Sequence, residues 1–356
     1  MPKRIGHLCE KMLDRNLIRK VIIEGSKGKR KRHDVKKVLS DVEKYTDKVY
    51  EILKCGTYVP TDPRHITILD TCSVKKRTIG VVPYYPDGII HRLIVEVARP
   101  IFMRGMYAHS CASIPGRGNM HAIKYMKKAM KDVKGSKYCT KMDIRHYYPN
   151  ISHEKMMDVL RRKIKDEKFL GLIRKIITSD GAGLTIGFYL NQWLANVFLE
   201  SLDQMITTCD GVKYYVRNMD DLVLIGPNKK KLHKAIRAVA KHLGSLGLEL
   251  KKNWQVFRVD DRGVDFVGYR FFHGYTLLRK RNYLKLVRQC RRVKKKIETG
   301  KTLSVREAAG LLSRVGQLKH CSGVNIRKKY FDDIKAKRLK NIIRANRKRI
   351  KDGNKL

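Results

Sequence analysis

Two runs of apolar residues flank a pair of aspartates in the segment Tyr215-Val-Arg-Asn-Met-Asp-Asp-Leu-Val-Leu-Ile225. Because β-branched and apolar residues favour strands and Asp favours turns, the segment predicts a β-hairpin with Asp220 and Asp221 at its tip. An Asp-Asp pair at such a tip is usually only a solvated turn, since short motifs recur by chance. Its meaning therefore depends on the motifs that accompany it.

A second predicted strand delivers another carboxylate. The run Tyr138-Cys-Thr-Lys-Met-Asp143 predicts a strand that ends at Asp143. If this strand and the hairpin are neighbours in one sheet, Asp143 and Asp220 face each other at a spacing that holds two divalent cations. Two cations so placed clamp the attacking and leaving oxygens of a phosphoryl transfer. The two segments together indicate the chemistry of a nucleotide polymerase.

The chain carries a large excess of positive charge. Of its 356 residues, 80 are Lys or Arg and 33 are Asp or Glu, which gives a formal net charge of +47. Such a charge calls for a polyanionic partner, and nucleic acid is the best candidate. No stretch approaches the roughly 20 apolar residues of a membrane-spanning helix, and the N-terminus lacks a signal-peptide core. We therefore expect no membrane partner and a cytoplasmic location.

Hydrophobic and cysteine content narrow the class further. With 42% hydrophobic residues the chain can bury a sizeable core, which argues against a disordered RNA chaperone. Its eight cysteines are dispersed without a Cys-x-x-Cys pair, and this spacing disfavours both a zinc knuckle and a disulfide framework.

Further motifs surround the aspartates in a fixed order. They are Lys75-Lys-Arg-Thr-Ile-Gly-Val-Val-Pro83 with Asp87-Gly-Ile-Ile-His91, then Tyr107-Ala-His-Ser-Cys-Ala-Ser-Ile-Pro-Gly-Arg-Gly118, Gly183-Leu-Thr-Ile-Gly-Phe-Tyr-Leu-Asn-Gln-Trp-Leu-Ala-Asn196 and Val264-Asp-Phe-Val-Gly-Tyr-Arg270. With these motifs the chain resembles the reverse transcriptases of bacterial retroelements, from about residue 66 to residue 275. In pattern it is most similar to those of diversity-generating retroelements, which are related to the group II intron, retron and defence-associated enzymes.

The resemblance implies an RNA-directed DNA polymerase with a right-hand, α+β fold. We expect residues 1–62 to form an N-terminal basic helical extension and residues 63–137 to form the fingers. Residues 138–279 would form the palm, with an antiparallel sheet, the catalytic aspartates and the primer grip. Residues 280–356 would form a basic helical thumb. We expect the chain to lack the further DNA-binding and endonuclease modules that many group II intron enzymes carry.

Two features of the N-terminal extension lead to separate expectations. The spacing of apolar residues in Asp34–Tyr45 predicts one amphipathic helix. The basic loop Gly25–Arg32 is expected to contact a phosphate backbone, with a merely solvated loop as the alternative.

The resemblance also implies a two-metal site. Asp143 and Asp220 would bridge two Mg²⁺ ions, which prefer hard oxygen ligands, and Mn²⁺ can substitute. Ile144 would join the metal-binding residues, while Asp221 would act electrostatically or as a weaker metal contact. Lys251 or Lys252 resembles the residue that supplies a proton to pyrophosphate, with a solvated surface lysine as the alternative.

Several side chains are expected to bind the incoming nucleotide. Lys75, Lys76 and Arg77 are candidates for the triphosphate, because cations offset the charge that develops on the leaving group. By resemblance, Tyr148 would lie beneath the sugar and exclude a 2′-hydroxyl. Only one of the adjacent Tyr147 and Tyr148 can take that position, and the other would pack in the core.

The segment around residues 183–196 resembles the helix that lies under the incoming nucleotide. Gly187 is expected to let the backbone approach the incoming base pair. Gln192 and Asn196 are one helical turn apart and could share a face toward the template or nucleotide. Ile186 stands where many reverse transcriptases have Gln, and an aliphatic residue there is the mark of the diversity-generating group, whose enzymes copy adenine carelessly.

Two other motifs concern the primer. Phe266, Gly268 and Tyr269 resemble the primer-grip turn. Asn218 replaces the Tyr that the family usually has in the hairpin, which removes an aromatic contact with the primer end and puts ordinary fidelity in doubt.

The expected partners are an RNA template, a primer or cDNA strand and dNTPs, together with a helical accessory protein if the chain is of the diversity-generating type. A defence-associated reverse transcriptase would share every palm motif and differ in template and purpose. A non-catalytic, maturase-like RNA-binding scaffold is an alternative of another class. The sequence leaves the template RNA and the priming mode open.

Overall fold

The computed structural model describes residues 4–70 and 75–353 and consists of helices and antiparallel sheets. Four helices open the described chain: α1 Leu8–Met12, α2 Arg15–Gly25, α3 His33–Leu39 and α4 Val42–Lys54. The prediction of a single helix over Asp34–Tyr45 is wrong, because the first helix ends before Ser40 and a second helix begins after Asp41. The Asp41 side chain accepts a hydrogen bond from the Lys44 backbone N–H at 3.0 Å and starts a new helix as its N-cap.

A two-stranded hairpin and two helices follow the first four helices. Their bounds are β1 Arg64–Asp70, β2 Lys75–Val81, α5 Ile89–Arg104 and α6 Asn119–Lys131. A π-helical turn at Tyr84–Gly88 leads into α5. Strands β1 and β2 pair antiparallel, so β2 presents Lys76 and Arg77 on opposite faces of the hairpin.

A four-stranded antiparallel sheet forms the centre of the molecule. Its strands are β3 Tyr138–Asp143, β4 Tyr214–Asn218, β5 Asp221–Gly226 and β6 Gln255–Arg258, in the order β4-β5-β3-β6. The helices between them are α7 Tyr147–Asn150, α8 His153–Arg161, α9 Glu167–Ile177, α10 Tyr189–Phe198, α11 Glu200–Thr207 and α12 Lys229–Ser245, with α13 Val259–Arg262 after β6.

The central sheet is buried on both faces. Along β5, Leu222 and Leu224 belong to a core shared with the N-terminal helices and α8 to α12, whereas Val223 and Ile225 belong to a second core. This alternation follows from the period of two in a strand. Strand β5 is thus apolar on both sides, and its one carboxylate, Asp221, lies where the strand begins.

The C-terminal part completes the second core. It comprises a three-stranded sheet, β7 Val264–Phe266, β8 Tyr269–Phe271 and β9 Thr276–Leu278, and four helices, α14 Lys280–Glu298, α15 Val305–Gln317, α16 Val324–Tyr330 and α17 Ala336–Gly353. Phe266 and Phe271 share this core with Leu286 of α14 and Leu311 of α15. The basic helices are therefore anchored to the small sheet by apolar contacts.

The α+β class predicted from the sequence is confirmed by this mixture of helices and antiparallel sheets. Within the described part of the chain, every helix is too short or too polar to cross a lipid bilayer.

Candidate active site

The three predicted aspartates meet at one end of the central sheet. Strands β3 and β5 pair in a register that sets Asp143 directly opposite Asp221. One residue further, the Ile144 N–H donates a hydrogen bond to the Asp220 carbonyl at 3.1 Å. The strand that ends at Asp143 and the hairpin are therefore neighbours in one sheet, which was the condition for the carboxylates to face each other.

The hairpin reverses direction through the two residues Met219 and Asp220. Asn218 and Asp221 are the last paired residues, and Met219 has a φ of 60°. A positive φ at the first turn residue suits the right-handed twist of a tight hairpin and usually selects glycine. Methionine adopts this left-handed conformation at a cost, so other contacts must hold the turn.

Burial and mutual repulsion raise the pKa values of two of the carboxylates. Burial raises the pKa of Asp220, the nearby charge of Asp143 raises it further, and the charges of Lys251 and Arg77 oppose the shift. Burial likewise raises the pKa of Asp221 to about 6, against the charge of Lys141. Raised pKa values of this kind are typical of carboxylates that lie close together in a functional site.

Two lysines offset the crowded negative charge. Lys141 Nζ lies 3.0 Å from a carboxylate oxygen of Asp221, and Lys251 forms an ion pair with Asp143. The other oxygen of Asp221, Oδ1, is buried without a hydrogen-bond partner among the described residues. A buried oxygen of this kind is costly unless a proton donor or a cation reaches it.

The donor set fits a divalent cation, although the side chains are not arranged as a finished site. Within residues 4–70 and 75–353, no three His, Cys, Asp or Glu side chains are grouped closely enough to enclose a metal ion. Lysines hold two of the three carboxylates instead. Clustered carboxylate oxygens with one orphaned atom are nevertheless the hard ligands that Mg²⁺ prefers.

The backbone of Ile144 faces the hairpin. The residues on either side of Ile144 bond the segment 249–251, which lies on the side away from the hairpin. Arg145 N–H donates to the Glu249 carbonyl at 2.8 Å, and Lys251 N–H donates to the Asp143 carbonyl at 2.9 Å. Ile144 itself donates toward Asp220, and in extended backbone the N–H and C=O of one residue point to the same side. The Ile144 carbonyl is thus directed toward the aspartates.

The two adjacent tyrosines, Tyr147 and Tyr148, lie in different environments. Tyr147 is buried, and its hydroxyl donates a hydrogen bond to the Ala195 carbonyl. Tyr148 is only half-buried; burial raises its pKa, and so does the charge of Asp220. Tyr147 therefore packs in the core while Tyr148 lies beside the aspartates.

The candidate triphosphate residues occupy the start of β2. Arg77 is exposed, and its charge reaches Asp220 strongly enough to oppose the rise in that residue's pKa, which burial causes. Lys76 is also exposed but points to the opposite face of the strand. The side chain of Lys75 lies outside the described residues.

The two candidate proton donors, Lys251 and Lys252, differ in position. Lys251 contacts Asp143 through both its backbone and its side chain. Lys252 is exposed to solvent. Only Lys251 is thus joined to the aspartate cluster.

Gly187 is required by a neighbouring strand. It has a φ of 117°, and a Cβ there would lie 2.4 Å from the Gly80 carbonyl oxygen of β2. The Gly80 N–H in turn donates to the Ile186 carbonyl at 2.9 Å. The close approach that this glycine permits joins β2 to the segment before α10. The expected approach of the incoming base pair to Gly187 stays a prediction.

The expectation that Asn196 shares a face with Gln192 toward the template or nucleotide is wrong. Asn196 is fully buried, and its amide donates to the Ala112 carbonyl at 3.0 Å while its oxygen accepts from Ser110 Oγ at 3.1 Å. These hydrogen bonds turn the side chain into the core. Gln192, one turn earlier, is half-buried.

The predicted primer-grip turn presents its backbone. Val267 and Gly268 both have positive φ, 39° and 91°, and form a tight turn between β7 and β8. The rings of Phe266 and Tyr269 are buried, and the Tyr269 hydroxyl donates to the Gln317 carbonyl at 3.0 Å. Any contact that this turn makes with a primer must therefore come from the Val267-Gly268 tip, because the two rings serve the core.

Sequence reasoning missed two cations near the aspartates. Lys141 precedes Asp143 by two residues, so the strand period places both on one face, a signal that was present in the sequence. Arg217 interrupts an apolar strand and is fully buried against Asp203 of α11. A charge in the middle of a buried strand implies a partner, but its identity depends on the tertiary fold.

The model of the family described as reverse transcriptase (RNA-dependent DNA polymerase) matches residues 77–271, more than half of the chain. The chain belongs to the reverse transcriptase family. The right-hand polymerase fold predicted from the sequence agrees with this membership.

Two curated proteins illustrate the relationship. The chain is 26% identical over 219 residues to the group II intron-encoded protein LtrA of Lactococcus lactis subsp. cremoris, an alignment that covers 59% of the chain and 35% of LtrA. It is 23% identical over 273 residues to protein YkfC of Escherichia coli (strain K12), with 65% and 70% covered. The chain thus spans about a third of the length of LtrA.

Solved structures of telomerase are also similar to the chain. Telomerase from Candida albicans in complex with a TWJ fragment of telomeric RNA matches with a TM-score of 0.46 and 12% identity, over 82% of this chain and 58% of that one. Apo telomerase from Candida tropicalis matches with a TM-score of 0.44 and 13% identity, over 60% and 47%.

Proposed function

We propose that the chain is an RNA-directed DNA polymerase that extends a primer on an RNA template with deoxynucleoside triphosphates. The observation that supports this most directly is the convergence of Asp143, Asp220 and Asp221 at one end of the central sheet. Reverse transcriptases generally use divalent metal ions, and we assign two Mg²⁺ to these carboxylates, with Mn²⁺ as a substitute. When bound, the ions supply charge neutralisation to the triphosphate and lower the pKa of the primer hydroxyl.

The residues around the aspartates would divide the remaining work. Asp143 and Asp220 would hold the ions through carboxylate oxygens and Ile144 through its carbonyl. Asp221, balanced by Lys141, would contribute mainly its charge. Lys251 is the better placed of the two candidate lysines to give a proton to departing pyrophosphate, because it already contacts Asp143.

Nucleotide selection would depend on both sides of the site. Arg77, whose charge reaches Asp220, would offset the charge of the triphosphate. The ring of Tyr148 would lie beneath the sugar and leave no room for a 2′-hydroxyl. Its half-buried position beside Asp220 supports this role, whereas the hydrogen bond of Tyr147 to α10 excludes that residue from it.

Cations of the basic loop Gly25–Arg32 lie near Arg92 of α5, and together they are a candidate contact for the RNA backbone. Burial lowers the pKa of Lys29, and the charges of Arg92 and Arg32 lower it further. Asp34, which forms an ion pair with Arg32, offsets part of this charge. A phosphate group would relieve the repulsion among these cations, which favours phosphate binding over a merely solvated loop.

Error-prone copying is the finer part of the proposal. Ile186 lies half-buried at the entrance to α10, where an aliphatic side chain fills space without a polar contact. Asn218 pairs with Asp221 at the hairpin and offers no ring to the primer end. Ile186 favours an enzyme of the diversity-generating type, which would also use a helical accessory protein, and Asn218 adds to the expectation of low fidelity.

A homopolymer extension assay tests the central proposal. The protein is given poly(rA) with an oligo(dT) primer and dTTP, with Mg²⁺, with Mn²⁺ or with EDTA. We expect extension with either cation and none with EDTA. RNA binding without extension under every condition would contradict the polymerase proposal and favour the non-catalytic RNA-binding scaffold.

A further inference from the structure

Arg217 is a fully buried arginine in the strand that leads to the aspartate turn. Its side chain is 0% exposed, and that of its partner Asp203 is 1% exposed. Nε donates to Asp203 Oδ1 at 2.8 Å and Nη2 donates to Oδ2 at 2.6 Å. This bidentate geometry fixes the plane of the guanidinium, so its remaining N–H groups have defined directions.

The remaining donors of Arg217 reach two other elements. Nη1 donates to the Met219 carbonyl at 3.2 Å and to Asn196 Oδ1 at 3.2 Å, and Nη2 donates to the Asn196 carbonyl at 3.3 Å. The guanidinium therefore ties helices α10 and α11 to the first residue of the hairpin turn. Tyr215 adds a hydrogen bond from its hydroxyl to Asp203 at 2.6 Å.

The turn residue held in this way is the strained one. Met219 has a φ of 60°, a conformation that glycine accepts freely and methionine does not. Asp220 follows directly, so a change in the Met219 peptide would move its carboxylate relative to Asp143. The two-residue loop calls for a positive φ at this position, methionine does not favour it, and the hydrogen bond from Arg217 to the Met219 carbonyl is a side-chain contact that can hold it.

We propose that Arg217 is a positioning residue for the reaction. It would hold the Met219 peptide in the left-handed turn and thereby keep Asp220 at the distance from Asp143 that a shared pair of cations needs. This inference rests on the proposed polymerase function. A purely structural role for the buried ion pair, limited to stabilising the core, is the competing explanation.

The two explanations differ in how they depend on residue 219. If Arg217 acts by holding a strained turn, glycine at 219 removes the strain and reduces the need for the arginine. If Arg217 only stabilises the core, a change at 219 leaves its importance as it was. Arg217→Lys keeps the charge but cannot bond both Asp203 oxygens and the Met219 carbonyl at once.

The experiment is a double-mutant cycle on the full chain. Arg217→Lys is made in the parent and in the Met219→Gly background, and kcat and KM for single-nucleotide incorporation are measured together with the denaturant midpoint of unfolding. In the parent background we expect kcat to fall on the order of ten-fold or more, because small displacements of reacting groups are costly, with KM for dNTP nearly constant. In the glycine background the loss of kcat should shrink to less than about three-fold.

The second arm covers poor folding of the single variant. Replacement of a buried ion pair by apolar residues of similar volume is often neutral for stability, and Asp203→Leu/Arg217→Met applies this to the pair. We expect a midpoint close to the parent value and a kcat that stays low until Met219→Gly is added. Equal kcat losses in both backgrounds, or parent-like kcat in the apolar double variant, would overturn the inference. A parent protein without any extension activity would instead overturn the proposed function, and the inference with it.

Discussion

Lys141 and Asp221 form an ion pair across strands β3 and β5, with Lys141 Nζ 3.0 Å from the carboxylate. Asp143 lies directly opposite Asp221 and pairs with Lys251. Like charges opposite each other on neighbouring strands repel, so each lysine offsets part of that repulsion. The two lysines thus do for the protein alone what bound cations would do in the proposed polymerase.

This relationship predicts how Lys141→Met responds to Mg²⁺. Without Mg²⁺ we expect the free energy of unfolding to fall by about 1 kcal/mol, since the pair is partly exposed. Addition of Mg²⁺ should stabilise the variant more than the parent, because the carboxylate cluster then binds the ion more tightly. Thermal melts over a Mg²⁺ titration measure both effects.

The matched control for that titration is Lys234→Met, which removes an exposed lysine from α12. Its response to Mg²⁺ should equal that of the parent. A Lys141→Met protein that gains no more than the parent from Mg²⁺ would show that the lysine and the ion do not compete for the same carboxylates.

Removal of one carboxylate tests the site itself. We expect Asp220→Asn to reduce primer extension at least about a hundred-fold while RNA binding is nearly intact, because the metal ions provide the main charge stabilisation. Extension and an RNA titration should be measured on the same preparation. Asp210→Asn, an exposed aspartate, is the control. Extension within a few-fold of the parent would refute the assignment of Asp220.

The two tyrosines should respond differently to truncation. Tyr148→Ala is expected to raise ribonucleotide incorporation, because the ring beneath the sugar is lost. Tyr147→Ala should mainly destabilise the fold, by about 3 kcal/mol for a buried aromatic residue that also bonds the Ala195 carbonyl. The measurements are the rNTP-to-dNTP ratio of kcat/KM and the unfolding midpoint. Unchanged discrimination between rNTP and dNTP in Tyr148→Ala would show that another residue excludes the 2′-hydroxyl.

Strand periodicity predicted the two strands that carry the aspartates, but their adjacency entered only as a condition. The structure meets that condition, since β3 and β5 are paired neighbours. The same period places Lys141 on one face with Asp143, whereas the pairing of Lys141 with Asp221 depends on the register. Local pattern therefore predicted the candidate aspartates, and their meeting depends on the tertiary fold.

Contacts distant in sequence were beyond such reasoning. Asn196 was expected to face the template or nucleotide because it is one turn from Gln192. A buried amide instead lies where its hydrogen-bond partners are, in this case Arg217 and Ser110. Likewise, the need for Gly187 comes from Gly80, a residue more than a hundred positions earlier. These relationships depend on the packing of whole elements.

The basic face of α14 should dominate the salt dependence of RNA binding. Deleting the helix would expose the second core, so we prefer to replace its exposed cations Arg288, Arg292 and Lys295 by Gln. If each contacts a phosphate, the slope of log Kd against log salt should flatten by about 2. The control replaces the exposed Lys229, Lys234 and Lys241 of α12, with the same change in net charge. Equal slopes for both triple variants would indicate that α14 is merely solvated.

Fidelity is where this chain departs most from a generic reverse transcriptase. Gln at position 186 could hydrogen-bond near the nascent base pair, whereas Ile186 only fills space. The difference in stabilisation between correct and mismatched base pairs is therefore smaller with Ile186. One polar contact is worth about 1 kcal/mol, enough to change error rates several-fold. We expect errors to concentrate opposite template adenine, Ile186→Gln to reduce them, and Asn218→Tyr to add to the reduction by steadying the primer end. Sequencing of cDNA from a template with the four bases equally represented measures all three. A low error rate, even across template bases in the parent protein, would contradict the diversity-generating type and favour a defence-associated enzyme.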